Sequence, residues 1–403
     1  ATGGGQTVAQ GTYNNLTLSN TSNTSTAGGN IVVNGTLTTA AGGTFSLSTN
    51  TLSGTLSSIV NNGTIATSNT SATPFPSDKT WGGTVKNLNA NITLVAGAYN
   101  NFTVDNGTVT LSGAVTISGV LNWVNNGVIT TTSSNTLTIT NTAVGAITNY
   151  NSSRYISGPL SRTLAANLTA SANVYDFPVG KGGAYYPFSI TTLTTGASAP
   201  VLTVEAYNAN AGGTADNTTI RSLSTSEYWS ASYTGNFTTG SVSIGRTSGL
   251  GSLNAIGRAS SAAGTYSSLN GTVSGNNVIN SSATGSSLGY FVLGVNIVTY
   301  YSRQSGNWAT NTTWSTVSCG NATNTGSYPN NGDIAIVCGG HTVTITDNIS
   351  VSQLTVTGAN TTLRFNSDAW NETLTVTGDT YIDEGGTIAG VDNQNYNYVF
   401  NNL

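Results

Sequence analysis

The sequence predicts an all-β chain in which β-helix (solenoid) regions flank a β-sandwich domain. Three observations carry this. A phrase returns: Gly11-Thr12-Tyr13-Asn14-Asn15-Leu16-Thr17-Leu18 reappears as Gly97-Ala98-Tyr99-Asn100-Asn101-Phe102-Thr103-Val104. Other stretches echo in the same way, Val60-Asn61-Asn62-Gly63-Thr64-Ile65 against Val124-Asn125-Asn126-Gly127-Val128-Ile129 among them. Within each phrase apolar and polar residues alternate, which is the period of a strand, and Asn-Gly or Gly closes it, which is turn chemistry. Units this short bury an apolar face only by stacking on their neighbours, so the repetition points to a solenoid.

Composition narrows the class. Only 6% of the 403 residues are charged, against about a quarter in ordinary globular domains. Disorder is the usual companion of low complexity, but it comes with high net charge and few β-branched residues. Here Val, Ile and Thr alternate throughout, so neutral side chains are expected to face water on an ordered β surface. With ten Lys and Arg and a net charge of −4, no basic patch exists and nucleic acid is excluded as a partner. No apolar run reaches the length of a membrane helix, so no transmembrane segment is expected. Met is absent and no signal peptide is visible, which suggests a piece of a longer polypeptide. Asn-X-Ser/Thr triplets, as at Asn15, Asn91 and Asn101, arise by chance in such a composition and carry little weight as glycosylation sites.

Residues 1–150 read as β-helix repeats, with apolar positions such as Leu16, Leu18, Ile31, Val33, Phe45 and Leu47. Pro74-Phe75-Pro76-Ser77-Asp78-Lys79 interrupts the pattern. Proline cannot sit in a central ladder, so this stretch is expected to be a loop excursion from a coil. Residues 151–297 carry longer, less repetitive segments with more aromatics, including Glu227-Tyr228-Trp229-Ser230-Ala231-Ser232-Tyr233. Their spacing by Gly- and Asn-rich turns predicts a β-sandwich (Ig-like) domain. From 298 to 403 short strands return, among them Val343-Thr344-Ile345 and Leu363-Arg364-Phe365, and a second β-helix is expected. It ends at Leu403 without an evident cap. An uncapped coil needs a neighbour, so the polypeptide is expected to continue and to carry further domains.

Two sets of motifs carry a resemblance. In the middle region they are Ile156-Ser157-Gly158-Pro159-Leu160-Ser161-Arg162, Tyr175-Asp176-Phe177-Pro178-Val179-Gly180, Tyr186-Pro187, Tyr228-Trp229 and Phe291-Val292-Leu293-Gly294. In the last they are Tyr301-Ser302-Arg303-Gln304-Ser305-Gly306-Asn307-Trp308, Thr313-Trp314, Pro329-Asn330-Asn331-Gly332-Asp333 and Gly340-His341-Thr342-Val343-Thr344-Ile345. These regions resemble modules of large Bacteroidota cell-surface adhesin-like proteins exported by the type IX secretion system, of the gliding-motility adhesin type. The resemblance implies an extracellular, cell-surface location and the secretion machinery as a partner. Residues 1–150 resemble β-helical repeats in general and name no family.

Cys319 and Cys338 are the two cysteines. A zinc site would need partners, and His341 is the one histidine. No CxxC or Cys-His-Asn context supports a catalytic thiol. A disulfide closing the loop before the first coil of the last region is therefore expected. His341 lacks an accompanying nucleophile motif and is read as structural or solvent-facing. Paired carboxylates would mark a glycan-cleaving β-helix, yet residues 1–150 offer Asp78 and Asp105 with Lys79 and Lys86. The last region is richer, with Asp333, Asp347, Asp368, Glu372, Asp379, Asp383, Glu384 and Asp392. Asp383-Glu384-Gly385-Gly386 places hard oxygen ligands on a turn, which suits calcium. It lacks the periodic Asp-Gly pattern of calcium-binding repeats, and a plain turn is the preferred reading. No other metal or cofactor is expected. Among the tryptophans, Trp229 is assigned to the sandwich core, and Trp308 and Trp314 to packing. Trp81 and Trp370 lie in excursions and are selected as candidate ligand contacts.

The expected function is that of a non-catalytic extracellular segment of a large repetitive adhesin, attaching to glycans or solid surfaces. A structural stalk or filament subunit with no ligand of its own is one alternative. A carbohydrate-active β-helix enzyme, such as a polysaccharide lyase, is the other, and acids and bases converging on one groove would mark it.

Overall fold

Alternating β-branched residues supply the strands of this chain, and asparagine and glycine supply the corners between them. The computed structural model describes residues 5–279, 284, 286–330, 332–366, 372–390 and 397–402. It is all-β, 52% strand and 2% helical, and its parallel strands form a β-solenoid. The chain divides into two compact units, residues 1–215 with 222–295, and residues 216–221 with 296–403.

In the first unit each coil contributes up to three strands, one to each of three faces. On the first face Thr44, Thr64 and Thr84 lie in register on successive coils. The second face opens with Gly11–Tyr13, Ile31–Val33 and Leu52–Ser53. It resumes with Ile92–Leu94, Gly107–Leu111, Gly127–Thr130 and Arg154–Ser157. Between the two runs the rung is taken by the Pro74 stretch. Leu52 N donates to Pro74 O at 2.9 Å, but proline has no N–H with which to extend the ladder. The face therefore splits into two sheets; the interruption expected at 74–79 ends at Asp78, since Lys79 already opens the strand Lys79–Asn87. Inward positions stack like on like: Ile92, Val109, Ile129 and Ile156 are in register and buried.

The repeated phrases are corner devices. Asn15 Oδ1 accepts Thr36 N at 2.8 Å and Asn101 Oδ1 accepts Val120 N at 2.8 Å. The carbonyls of Asn14 and Asn100 accept Gly35 N and Gly119 N. A Cβ on Gly35 would lie 2.4 Å from Asn15 Oδ1, and one on Gly119 would lie 2.3 Å from Asn101 Oδ1, so glycine is required above each corner. Tyr13 and Tyr99 each donate to a carbonyl four residues back, at 2.6 and 2.8 Å. The two copies nevertheless occupy different corners. Gly11–Tyr13 runs on the second face, whereas Gly97 pairs with Lys79 and Val115 on the third. The phrase thus specifies a way of turning and not a place on the coil.

The boundary expected between residues 150 and 151 falls inside the first unit. Leu160–Thr163 pairs in parallel with Leu137–Ile139 on one side and antiparallel with Val201–Tyr207 on the other. Parallel coils thus pass into antiparallel strands within a continuous sheet, through Tyr228–Thr234 and Gly289–Asn296. A second antiparallel sheet contains Tyr175–Phe177, Phe188–Thr195 and Phe237–Gly245. Trp229 is fully buried and its Nε1 donates to Tyr186 O at 3.0 Å.

In the second unit parallel coils recur. Thr299–Ser302, Ile334–Val337 and Gln353–Thr357 form one ladder, and Gly306–Asn307, Thr342–Ile345, Thr362–Phe365 and Thr387–Ala389 another. Trp308 and Trp314 are fully buried, edge to face at 4.9 Å, and Trp314 Nε1 donates to Trp308 O. Cys319 and Cys338 form the expected disulfide, with Cα atoms 5.9 Å apart.

Candidate functional site

The excursion that splits the second face leaves a groove. It is lined by Leu52 and Ser53 on one side, Val95 and Ala96 on the other, and Phe75, Pro76 and Asp78 from the loop. Trp81 was expected to present itself here to a ligand, and the structure corrects this. Its side chain is 1% exposed, with Phe75 edge-on at 5.1 Å and Tyr99 stacked at 6.5 Å. An indole with no accessible face cannot stack on a sugar. It serves as the apolar anchor that ties the Pro74 loop back onto the coil. Trp370 lies outside the described residues, as do Asp368 and Asp392.

Several of the carboxylates flagged in the sequence have local partners. Lys86 Nζ lies 2.7 Å from Asp105 Oδ2, and Asn125 Nδ2 donates to Asp105 Oδ1 at 2.6 Å. The hydrogen bond from Lys86 holds the Asp105 carboxyl below its usual range, so the group accepts hydrogen bonds and does not supply a proton. Asp78 accepts from Ser77 Oγ, and Lys79 Nζ donates to Thr55 O. Asp333 is buried and pairs with Arg221 at 3.1 Å, while burial pushes its carboxyl up. Asp383 and Glu384 are exposed on a turn closed by Gly386 N to Asp383 O, and Thr357 Oγ1 approaches Glu384 at 3.4 Å. Among the described residues no group of three His, Cys, Asp or Glu is placed to hold a metal ion.

His341 and Ser302 meet, with Ser302 Oγ 3.1 Å from His341 Nδ1. Ser302 is fully buried, and its hydroxyl also accepts Cys338 N at 2.8 Å. That fixes the strand beside the disulfide and leaves the hydroxyl no path to a substrate.

A feature not singled out from the sequence is a row of outward side chains on the third face. Thr80, Ala98, Thr116, Thr138, Ser161, Thr203 and Ser232 lie in register on seven neighbouring strands. Neighbouring strands sit about 4.8 Å apart, so the row is a regular line of hydroxyls and methyls without a charge. Ser161 and Thr203 hydrogen-bond each other at 2.7 Å. The Thr alternation was visible in the sequence, but the register that aligns it is set by coil lengths that differ from turn to turn. The sequons are explained too: Asn15, Asn91 and Asn101 each spend Oδ1 on a backbone N–H of the next coil.

Comparison with protein families, curated proteins and solved structures finds no match to this chain.

Proposed function

We propose that the chain is a non-catalytic, extracellular segment of a long surface adhesin, attaching through many weak, uncharged contacts. In this reading the antiparallel strands are a β-sandwich set into the solenoid, with Phe188 of one sheet meeting Phe291 of the other at 5.9 Å. The observation that carries the proposal is the row from Thr80 to Ser232. A rigid line of hydroxyls and methyls makes hydrogen bonds and apolar contacts at repeated spacing, and holding strength grows with the number of copies engaged. Charge contributes little, since exposed charges are screened beyond about 8 Å at physiological salt. Export by the type IX machinery belongs to the same proposal and rests on the resemblance of the motifs.

The test presents the segment in many copies on beads over glycan-coated and bare surfaces. Adhesion is expected to change little between low and high salt and to fall sharply for single copies. Replacing Thr116 and Thr138 by Glu is expected to weaken it more than replacing Lys79 and Lys86 by Ala. No adhesion at any valency would favour a stalk with no ligand of its own.

A further inference from the structure

The second unit carries a cleft of about 440 Å3 between the Tyr328–Asn330 segment and the outward side of two paired strands, within the size range of small-ligand sites. Buried packing fixes one wall: Trp308 Nε1 donates to Pro329 O at 2.9 Å, which holds Tyr328 and Asn330 in place. Asn330 N also donates to the buried Asp333 carboxylate. The other wall is the turn Asp347-Asn348 and the strand Ile349–Val351, whose Ser350 pairs with Thr375 of Thr373–Asp383. Thr373 N donates to Asn348 Oδ1 at 2.8 Å, which orients that amide and leaves its NH2 as a donor. Asp347 is exposed, and Thr346 Oγ1 donates to its Oδ2 at 3.1 Å.

We propose that this cleft binds a neutral sugar residue, with Asp347 accepting from vicinal hydroxyls and Asn348, Ser350 and Thr375 completing the hydrogen bonds. The chemistry fits a pyranose in each respect. A carboxylate accepts two hydroxyl donors, an amide and hydroxyls serve the remaining polar edge, and the ring's C–H face packs on Tyr328 beside Ala309. Lys, Arg and His are absent from the described residues lining the cleft, so a uronic or sulfated sugar would bring its charge to Asp347 uncompensated. The proposal rests on the adhesion reading and deepens it by naming a ligand class.

The test titrates the whole chain with the methyl glycosides of glucose, galactose, mannose and N-acetylglucosamine, with methyl glucuronide beside them, followed by ligand-observed NMR. At least one neutral glycoside is expected to saturate, and the glucuronide is not. Asp347→Asn, an exposed and isosteric change, should weaken binding about tenfold, the loss of a charged acceptor. Ser350→Lys, which fills the cleft, should abolish it. Absence of a saturable neutral glycoside, equal binding of the glucuronide, or wild-type affinity in both variants would overturn the proposal. A chain that adheres on beads yet binds no neutral glycoside overturns the cleft and leaves the adhesion reading standing.

Discussion

Arg162 is the side chain whose removal should be felt most in the first unit. It is fully buried where the coils pass into antiparallel strands. Its guanidinium donates to Asp176 O at 2.6 Å and to the carbonyls of Ala143 and Val144 at 3.1 Å. It also lies 5.4 Å from the ring centroid of Tyr175 and 5.8 Å from that of Phe177. A hydrogen bond from a charged donor contributes about 1.5–3 kcal/mol, so the gross interaction is large. Desolvation opposes it. Burial lowers the guanidinium pKa to about 10 despite the nearby Asp176, and Nε lacks a partner. The net loss for Arg162→Ala is therefore expected at about 3–5 kcal/mol, because three carbonyls lose their donor, at about 1–3 kcal/mol for each one left unsatisfied. Arg162→Met, which keeps most of the volume, should recover part of it. Urea unfolding followed by tryptophan fluorescence reads the midpoint shift. A loss below about 1 kcal/mol, the scale of an ordinary substitution, would refute the view that this arginine clamps the junction.

Other expectations follow from single features. Reducing the Cys319–Cys338 disulfide should destabilise the second unit by about 3 kcal/mol on chain-entropy grounds, read as a fall in melting temperature with reductant. Gly119→Ala should cost about 1–3 kcal/mol through overpacking, whereas Gly145→Ala, with nothing within 4 Å of its added Cβ, should leave the urea midpoint unchanged. Burial pushes the phenols of Tyr99, Tyr150 and Tyr185 up from 10.0. The folded chain thus keeps protons that the unfolded chain releases. Stability should hold below about pH 10 and fall as pH rises beyond it, and urea midpoints on either side of that pH check the sign.

How much was legible divides by the range of the interaction that decides it. Strand content, the solenoid, the excursion at Pro74 and the disulfide are set by local alternation, proline chemistry and the scarcity of cysteine, and all could be read directly. The passage near residue 150 was legible only as a change of texture. That Leu160–Thr163 serves both a parallel and an antiparallel neighbour depends on partners far along the chain. The groups flagged as chemistry fared differently. Trp81 follows the Pro74 stretch closely, which suggested an exposed excursion, but it lies inside the strand Lys79–Asn87, in register with Tyr99, and Phe75 closes over it.

Asparagine shows why composition misleads about surfaces in such a chain. Its abundance beside Thr and Ser reads as a wet, adaptable exterior rich in sequons. At the corners it does something else. Each Oδ1 of Asn15, Asn34 and Asn101 accepts a backbone N–H about one coil further on, satisfying donors that a bend would otherwise leave unpaired. Inside, Asn61 reaches the carbonyls of Gly82 and Thr84 and accepts from Thr39. These asparagines are thus consumed in holding coil to coil. What remains for recognition is the threonine and serine between the corners, where side chains alternate outward and no backbone group needs them. On the faces of the first unit, any contact surface should therefore follow the strand centres and avoid the Asn corners. Substituting Thr138 should change binding without changing stability, and substituting Asn101 should do the reverse. Adhesion and urea midpoints measured on the two variants separate the roles, and equal effects of both substitutions on both readouts would show that corner and face are not distinct.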